Sequence, residues 1–368
     1  MTKLTFNRRH FFGTVAMSGL ALASPAYLRR ANAAGGEVNI WTYNEFVPKA
    51  FKEQFETETG IKVNVRLVDD QGKQFNLLAA EAPNPTVDIM TVAGHRFLQF
   101  IDNDLLSPLD TGRLSNWGNI NPTFSESDWS TINDHKWGAP ILSGMEVLSY
   151  NTDLVSAEEA RSWDVLFSEK YKKKTAYIIQ DMMSIVMLKL GYDGNMVEYM
   201  DDPTKAAAIV EEAKQFLISK KSLVRKYYDS GAEIQQMFVN QDIALGHSWN
   251  GPAAALINDG FPLAMTIPQE GSYGFVYTYN IANNAPNVDN AYTFLDAILA
   301  SPKIGASMTK ASGFISTYKD ASQYLTESEK KSTSFTDEEL SNLQFFRAEA
   351  NKMKYSLVDP AVEAIKAA

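Results

Sequence analysis

The sequence predicts an α/β protein of two lobes, each a mixed, mostly parallel sheet flanked by helices, joined by crossover strands. Three observations carry this. Short β-rich runs alternate with helix-period runs from residue 38 to 92, and the same alternation restarts at residue 176. Two extended segments, 146–151 and 274–281, are polar or aromatic rather than uniformly apolar and belong to neither series.

In the first series, residues 38–43 form a strand, and Pro48 then supplies a favoured first helical position before Phe51 and Phe55, which lie four apart on one helix face. Gly60 ends that helix. Residues 62–67 alternate as a second strand, and a helix carrying Phe75, Leu78, Ala79 and Ala82 follows. Pro83-Asn84-Pro85 breaks the chain before a third strand at 87–92. In the second series a strand at 176–179 precedes helices at 182–190 and 204–220. A strand at 224–228, a helix at 232–240, a strand at 243–249, a helix at 253–259 and a strand at 263–267 complete it. Consecutive βαβ units of this kind build parallel sheets. The two series are not similar enough to mark a repeat protein. Segments 146–151 and 274–281 are then the crossovers between lobes.

Ahead of this lies Asn7-Arg8-Arg9-His10-Phe11-Phe12, an apolar run to Leu28, and Ala31-Asn32-Ala33, with no acid before Glu37. The pattern predicts a twin-arginine export signal over 1–33, cleaved near Ala33, and hence a periplasmic protein. Gly13, Gly19 and Pro25 interrupt the run and argue against a membrane anchor, which needs roughly 20 apolar residues. Removing that segment takes five cations and no acid, moving the formal charge from -10 to -15 on the remaining 335 residues. Such an acid excess disfavours nucleic acid and favours a cationic partner. With no cysteine there is neither a disulfide framework nor a lipid-modified N-terminus, so folding rests on an apolar core, for which 45% hydrophobic residues suffice. A chain this long exceeds one core of about 100 to 200 residues, a further argument for two lobes. The predicted boundaries are 34–144 with 278–322 for lobe I and 145–277 with 323–368 for lobe II.

Ligands of open parallel sheets sit outside the carboxyl ends of strands, beside helix N-termini. That rule nominates Tyr43, Asn44, Glu45 and Phe46 after the first strand and His95 after the third. In the second lobe it nominates Asp181 and Trp249. The chain here resembles the spermidine/putrescine-binding proteins of bacterial import systems, within the type II periplasmic-binding fold. The carriers are Trp41-Thr42-Tyr43-Asn44-Glu45-Phe46-Val47-Pro48, Phe55-Glu56-Thr57-Glu58-Thr59-Gly60-Ile61-Lys62-Val63, Leu106-Ser107-Pro108-Leu109-Asp110, Ser149-Tyr150-Asn151-Thr152-Asp153, Ser248-Trp249-Asn250-Gly251 and Ile267-Pro268-Gln269-Glu270-Gly271. Their order and spacing extend the likeness over nearly the whole chain beyond the signal.

The resemblance implies a monomer whose lobes hinge shut on a small molecule, without cofactor or metal, and hand it to an inner-membrane ABC permease. Polyamine binding needs carboxylates for the ammonium ends and rings to sandwich the methylenes. Carried over residue by residue, the ring positions fall on Tyr43, Phe46, Phe275, Phe314 and Trp249, and the acids on Glu45 and Asp181. The family's acid on the returning crossover is replaced by Tyr277, the position three after Trp249 is Pro252, and the tyrosine ending the third strand is His95. Glu146 offers a substitute carboxylate on the first crossover. These departures suit a shorter or less charged amine. Arg347, with His95, leaves open a carboxylate-bearing or other anionic solute held through a guanidinium fork. Each nominee also has a plainer role: aromatics as core, Glu45 as a first-turn acid, Asp181 as an N-cap, His247 as a satisfied strand residue.

An enzyme of another class, a secreted serine hydrolase using Ser248 and His247, rests on Gly246-His247-Ser248-Trp249-Asn250, which lacks the final glycine of G-x-S-x-G. There is no H-E-x-x-H, P-loop or G-x-G-x-x-G, so no enzyme activity is expected.

Overall fold

The structure, a computed structural model, describes residues 35–43, 46–68, 70–126, 128–336, 338–339 and 342–368. The predicted export signal lies outside the described residues, as do Asn44 and Glu45.

One sheet path runs through the molecule, in the order Lys62–Leu67, Glu37–Thr42, Ile89–Ala93, Ser272–Ile281, Ala139–Asn151, Leu245–Trp249, Thr175–Tyr177, Lys226–Tyr227. The first three strands are mutually parallel, as are the last three. Between them, Ser272–Ile281 and Ala139–Asn151 run antiparallel to each other and to their outer neighbours. Two parallel sheets are therefore joined through two long shared strands, the crossovers. The first is much longer than the sequence predicts, thirteen residues and all buried. Ser143, Gly144 and Glu146 interrupt its apolar run and disguise its first half as a separate segment.

Helices cover the sheets with their apolar stripes. Phe51 and Phe55 of Lys49–Thr59 pack edge-on against Phe294 of Val288–Ile298, with ring centroids 5.5 and 5.4 Å apart. Gly60 closes the first of these helices in the left-handed region at φ 70°, which glycine adopts without the Cβ penalty. In the other lobe Trp163, Met182, Val186 and Leu217 form a core with Val358 and Ile365 of the C-terminal helix Asn351–Ala367. This last helix carries a side chain into the site.

Several boundaries differ from expectation. Helix Ile179–Lys189 starts three residues early, because Ile178-Ile179 prolongs an apolar run that reads as strand. Asp181 consequently sits in the first helical turn, neither in a strand-end loop nor at the N-cap, which is Ile178. Helix Asn250–Asn258 likewise begins ahead of Pro252. The strand expected at 224–228 shrinks to Lys226–Tyr227.

Candidate ligand-binding site

Where the crossover strands meet the carboxyl ends of the outer strands lies a cavity of about 240 Å³. Tyr43, His95, Glu146, Asp181, Trp249, Phe275 and Tyr277 line it, joined by Gln71, Arg96, Phe346, Asn351, Lys354 and Tyr355.

One wall is aromatic. Tyr43 leaves strand Glu37–Thr42, and its hydroxyl accepts from Gln71 Nε2 at 3.1 Å. Gln71 is itself fixed, donating to the Thr91 carbonyl at 3.1 Å and accepting from the Ala93 N–H at 3.0 Å. Tyr277 stands 5.2 Å from Tyr43 and 5.3 Å from Phe275, centroid to centroid. Phe46 and Phe314 do not face the cavity. Phe46 packs 5.0 Å from Tyr43 and 5.2 Å from Tyr277, and is 1% exposed. Phe314 stands 5.6 Å from Tyr277 and 5.9 Å from Phe275. The two expected box rings are thus the backing of the wall, holding the front rings through tilted and edge contacts. Gly144 makes room for this layer, since a Cβ there would overlap the Phe275 ring and meet Phe314 Cδ1 at 3.0 Å.

The opposite side is ionisable. Glu146 lies opposite Trp249 across the strand pair, and Trp249 Nε1 donates to Glu146 Oε1 at 3.1 Å. His247, two residues from Trp249 and so on the same strand face, brings Nε2 to 2.7 Å from Glu146 Oε2, their side chains 0% and 2% exposed. An N–H on Nε2 would not point at that oxygen. Burial raises the Glu146 carboxyl well above its ordinary range and lowers the His247 imidazole to about 4, so it favours the neutral form of both. His247, expected as a satisfied strand residue, instead lies against Glu146 with neither ring nitrogen hydrogen-bonded among the described residues.

Asp181 opens onto the cavity; burial, then the neighbouring Glu146, push its carboxyl up to about 7. Facing these acids is Lys354, 5% exposed, from the C-terminal helix. Burial pulls its ammonium down to about 8, while Asp181, Asp193 and Glu146 oppose the fall. It lies over the Phe346 ring, 5.0 Å from the centroid. Burial, together with Arg96 and Lys354, lowers His95 to about 3, so it is a neutral ring here. Its carbonyl accepts from Asn351 Nδ2. Arg96 is steadied at the rim by Gln99 Oε1, at 3.0 Å to Nε and 2.7 Å to Nη2.

Arg347 does not line the cavity; its Nε donates to Glu349 Oε1 at 3.0 Å. The cationic side chains that do line the cavity are Lys354 and Arg96, which the strand-end rule cannot reach. Lys354 does leave a trace in the sequence. With Val358, Ala361, Val362 and Ile365 it occupies the buried stripe of an amphipathic helix, a slot where an unused lysine is costly. The hydrolase constellation is absent among the described residues, since Ser248 is 1% exposed and its hydroxyl bonds Ser149 Oγ at 2.6 Å, on the strand face opposite His247.

A family model for bacterial extracellular solute-binding proteins matches residues 50–337. The spermidine/putrescine-binding periplasmic protein 1 of Haemophilus influenzae is 24% identical over 284 residues, 77% of this chain and 75% of that protein. A putrescine-binding periplasmic protein of Escherichia coli is 25% identical over 280 residues, 71% of this chain and 73% of its own. The solved spermidine/putrescine ABC transporter substrate-binding protein of Streptococcus pneumoniae superposes with a TM-score of 0.75 at 22% identity, covering 90% of this chain and 100% of that one.

Proposed function

We propose that this chain, which belongs to the bacterial extracellular solute-binding proteins and is a transport protein rather than an enzyme, captures a small organic amine in the periplasm for an inner-membrane ABC permease. The observation that carries the reading is the pairing, in one cavity, of an aromatic wall with the carboxyl of Asp181. Tyr43, Tyr277, Phe275 and Trp249 offer faces to a methylene chain and to the cation at its end. Asp181 supplies the charge. A bound ammonium draws its raised carboxyl back toward the ionised form, so binding and ionisation reinforce each other.

Capture proceeds by hinge closure about the two crossover strands, with the lobes at 34–144 plus 278–322 and 145–277 plus 323–368. Contacts made to both walls at once favour the closed form and shift the lobe equilibrium. The protein acts as a monomer and reaches its compartment through the twin-arginine signal at 1–33. Calorimetry on ligand-stripped protein tests the core of this reading. Short-chain ammonium compounds give saturable heat and the corresponding alcohols give none; heat with the alcohols as well, or with no ammonium compound, would contradict it.

A further inference from the structure

We infer that the solute is a small zwitterion, an ω-amino carboxylate whose ammonium end meets Asp181 and whose carboxylate end meets Lys354. This rests on the amine reading above and names the other end of the molecule. A diamine needs an acid for each of its cations. Besides the buried Glu146 and the half-buried Asp181 the cavity has only exposed acids, and Glu146 already accepts from Trp249 Nε1 at one oxygen and lies 2.7 Å from His247 Nε2 at the other. Asp181 remains. The other two lining acids, Asp70 and Asp229, are exposed, and Asp70 caps the helix Gln71–Glu81 by accepting from the Lys73 N–H.

Where a second acid would have to stand for a diamine, the cavity presents a cation. Lys354 is nine-tenths buried, yet its ammonium has no hydrogen bond and no ion pair among the described residues. It lies over the Phe346 ring face, 5.0 Å away, and that ring is stacked on Tyr273 at 4.7 Å. A lysine serving only to neutralise Asp181 or Glu146 would close to salt-bridge distance, and it does not. A buried ammonium without an acceptor is unfavourable unless something supplies one. A carboxylate in the cavity does so, and Arg96 at the rim adds charge of the same sign beside it. An anion without an amine is disfavoured by Asp181, and a diamine by Lys354, so the charge pattern selects a molecule with one group of each sign.

The test uses matched pairs on the full mature protein, stripped of ligand by partial unfolding and refolding. Calorimetric titrations compare 3-aminopropionate, 4-aminobutyrate and 6-aminohexanoate with the diamines and monoamines of equal length. At least one aminocarboxylate should bind at least about tenfold tighter than its diamine, the scale of one charge-assisted contact. Lys354→Met should abolish that preference, with Lys354→Gln as a second variant and thermal unfolding confirming that each folds. Diamines binding as tightly as aminocarboxylates to the unmodified protein would overturn the zwitterion and leave the amine reading standing. Binding of simple carboxylates with no ammonium compound bound would overturn both.

Discussion

On one side of the cavity Tyr43, Phe275 and Tyr277 stand ring against ring, backed by Phe46 and Phe314; on the other, Asp181, Glu146, His247 and Lys354 bring four ionisable groups together. The aromatic wall is complete as it stands. Its rings are held by one another and by the Gln71 clamp on Tyr43, so it presents a preformed apolar surface whatever molecule arrives. The ionisable side is incomplete. Glu146 accepts from Trp249 and lies against His247, whereas Asp181 and Lys354 open onto the cavity with shifted acidities that an occupant would relax. The contrast teaches that the aromatic side supplies a general slot for a short chain, and our proposal places selectivity in the two groups of opposite sign that open onto it, Asp181 and Lys354. Changes to the wall should therefore cost stability, and changes to the ionisable side should alter which ligand binds and at what pH.

The largest effect expected is on stability. Phe46→Ala removes a ring that is 1% exposed and touches Tyr43, Tyr277 and Phe314, and should lower unfolding free energy by about 3 to 5 kcal/mol in a denaturant titration. A loss below about 1 kcal/mol would mean that the wall is not packed as described. Asp181→Asn should weaken an ammonium ligand by about 2 to 5 kcal/mol with the fold retained, since it removes one partner of a largely desolvated charge contact. Unchanged affinity would move the ammonium elsewhere.

The same variant isolates a pH effect. Asp181 has a folded-state acidity raised from 3.8 to about 7, so the folded chain holds that proton more tightly than the unfolded one. Its contribution to stability is full below about pH 4 and is lost as pH rises through 7. His247 and His95, lowered from 6.5 to about 4 and 3, act in the opposite sense across most of that range, which is why the comparison must be made against the variant. The stability of the ligand-free protein minus that of Asp181→Asn should fall between pH 4 and 7; a flat difference would place Asp181 in ordinary solvent. Smallest is Trp249→Ala, which should weaken binding by about 0.5 to 2 kcal/mol through loss of a ring face toward the cation, read by calorimetry. Global unfolding instead would make the indole a core element.

The large features were legible in the sequence because they rest on period. Alternating strands and amphipathic helices gave both parallel halves, and the strand-end rule placed Tyr43, His95 and Trp249 beside one cavity. What was not legible depends on direction within a layer. Phe46 and Phe314 are aromatic and close to strand ends, but nothing in their spacing distinguishes a ring facing the cavity from one standing behind it. Arg347 is claimed by Glu349, two residues along, a local pairing that no motif announces. Lys354 enters from the C-terminal helix, more than a hundred residues from Trp249 and outside any strand-end series, and only its position in an apolar stripe betrays it.

The most direct test of the central claim is a crystal structure of the exported protein with an ammonium-bearing ligand bound. It should show the lobes closed, the ammonium against Asp181, and the chain lying between Trp249 and the rings of Tyr43 and Tyr277. A ligand seated outside that cavity, or an ammonium turned away from Asp181, would contradict it.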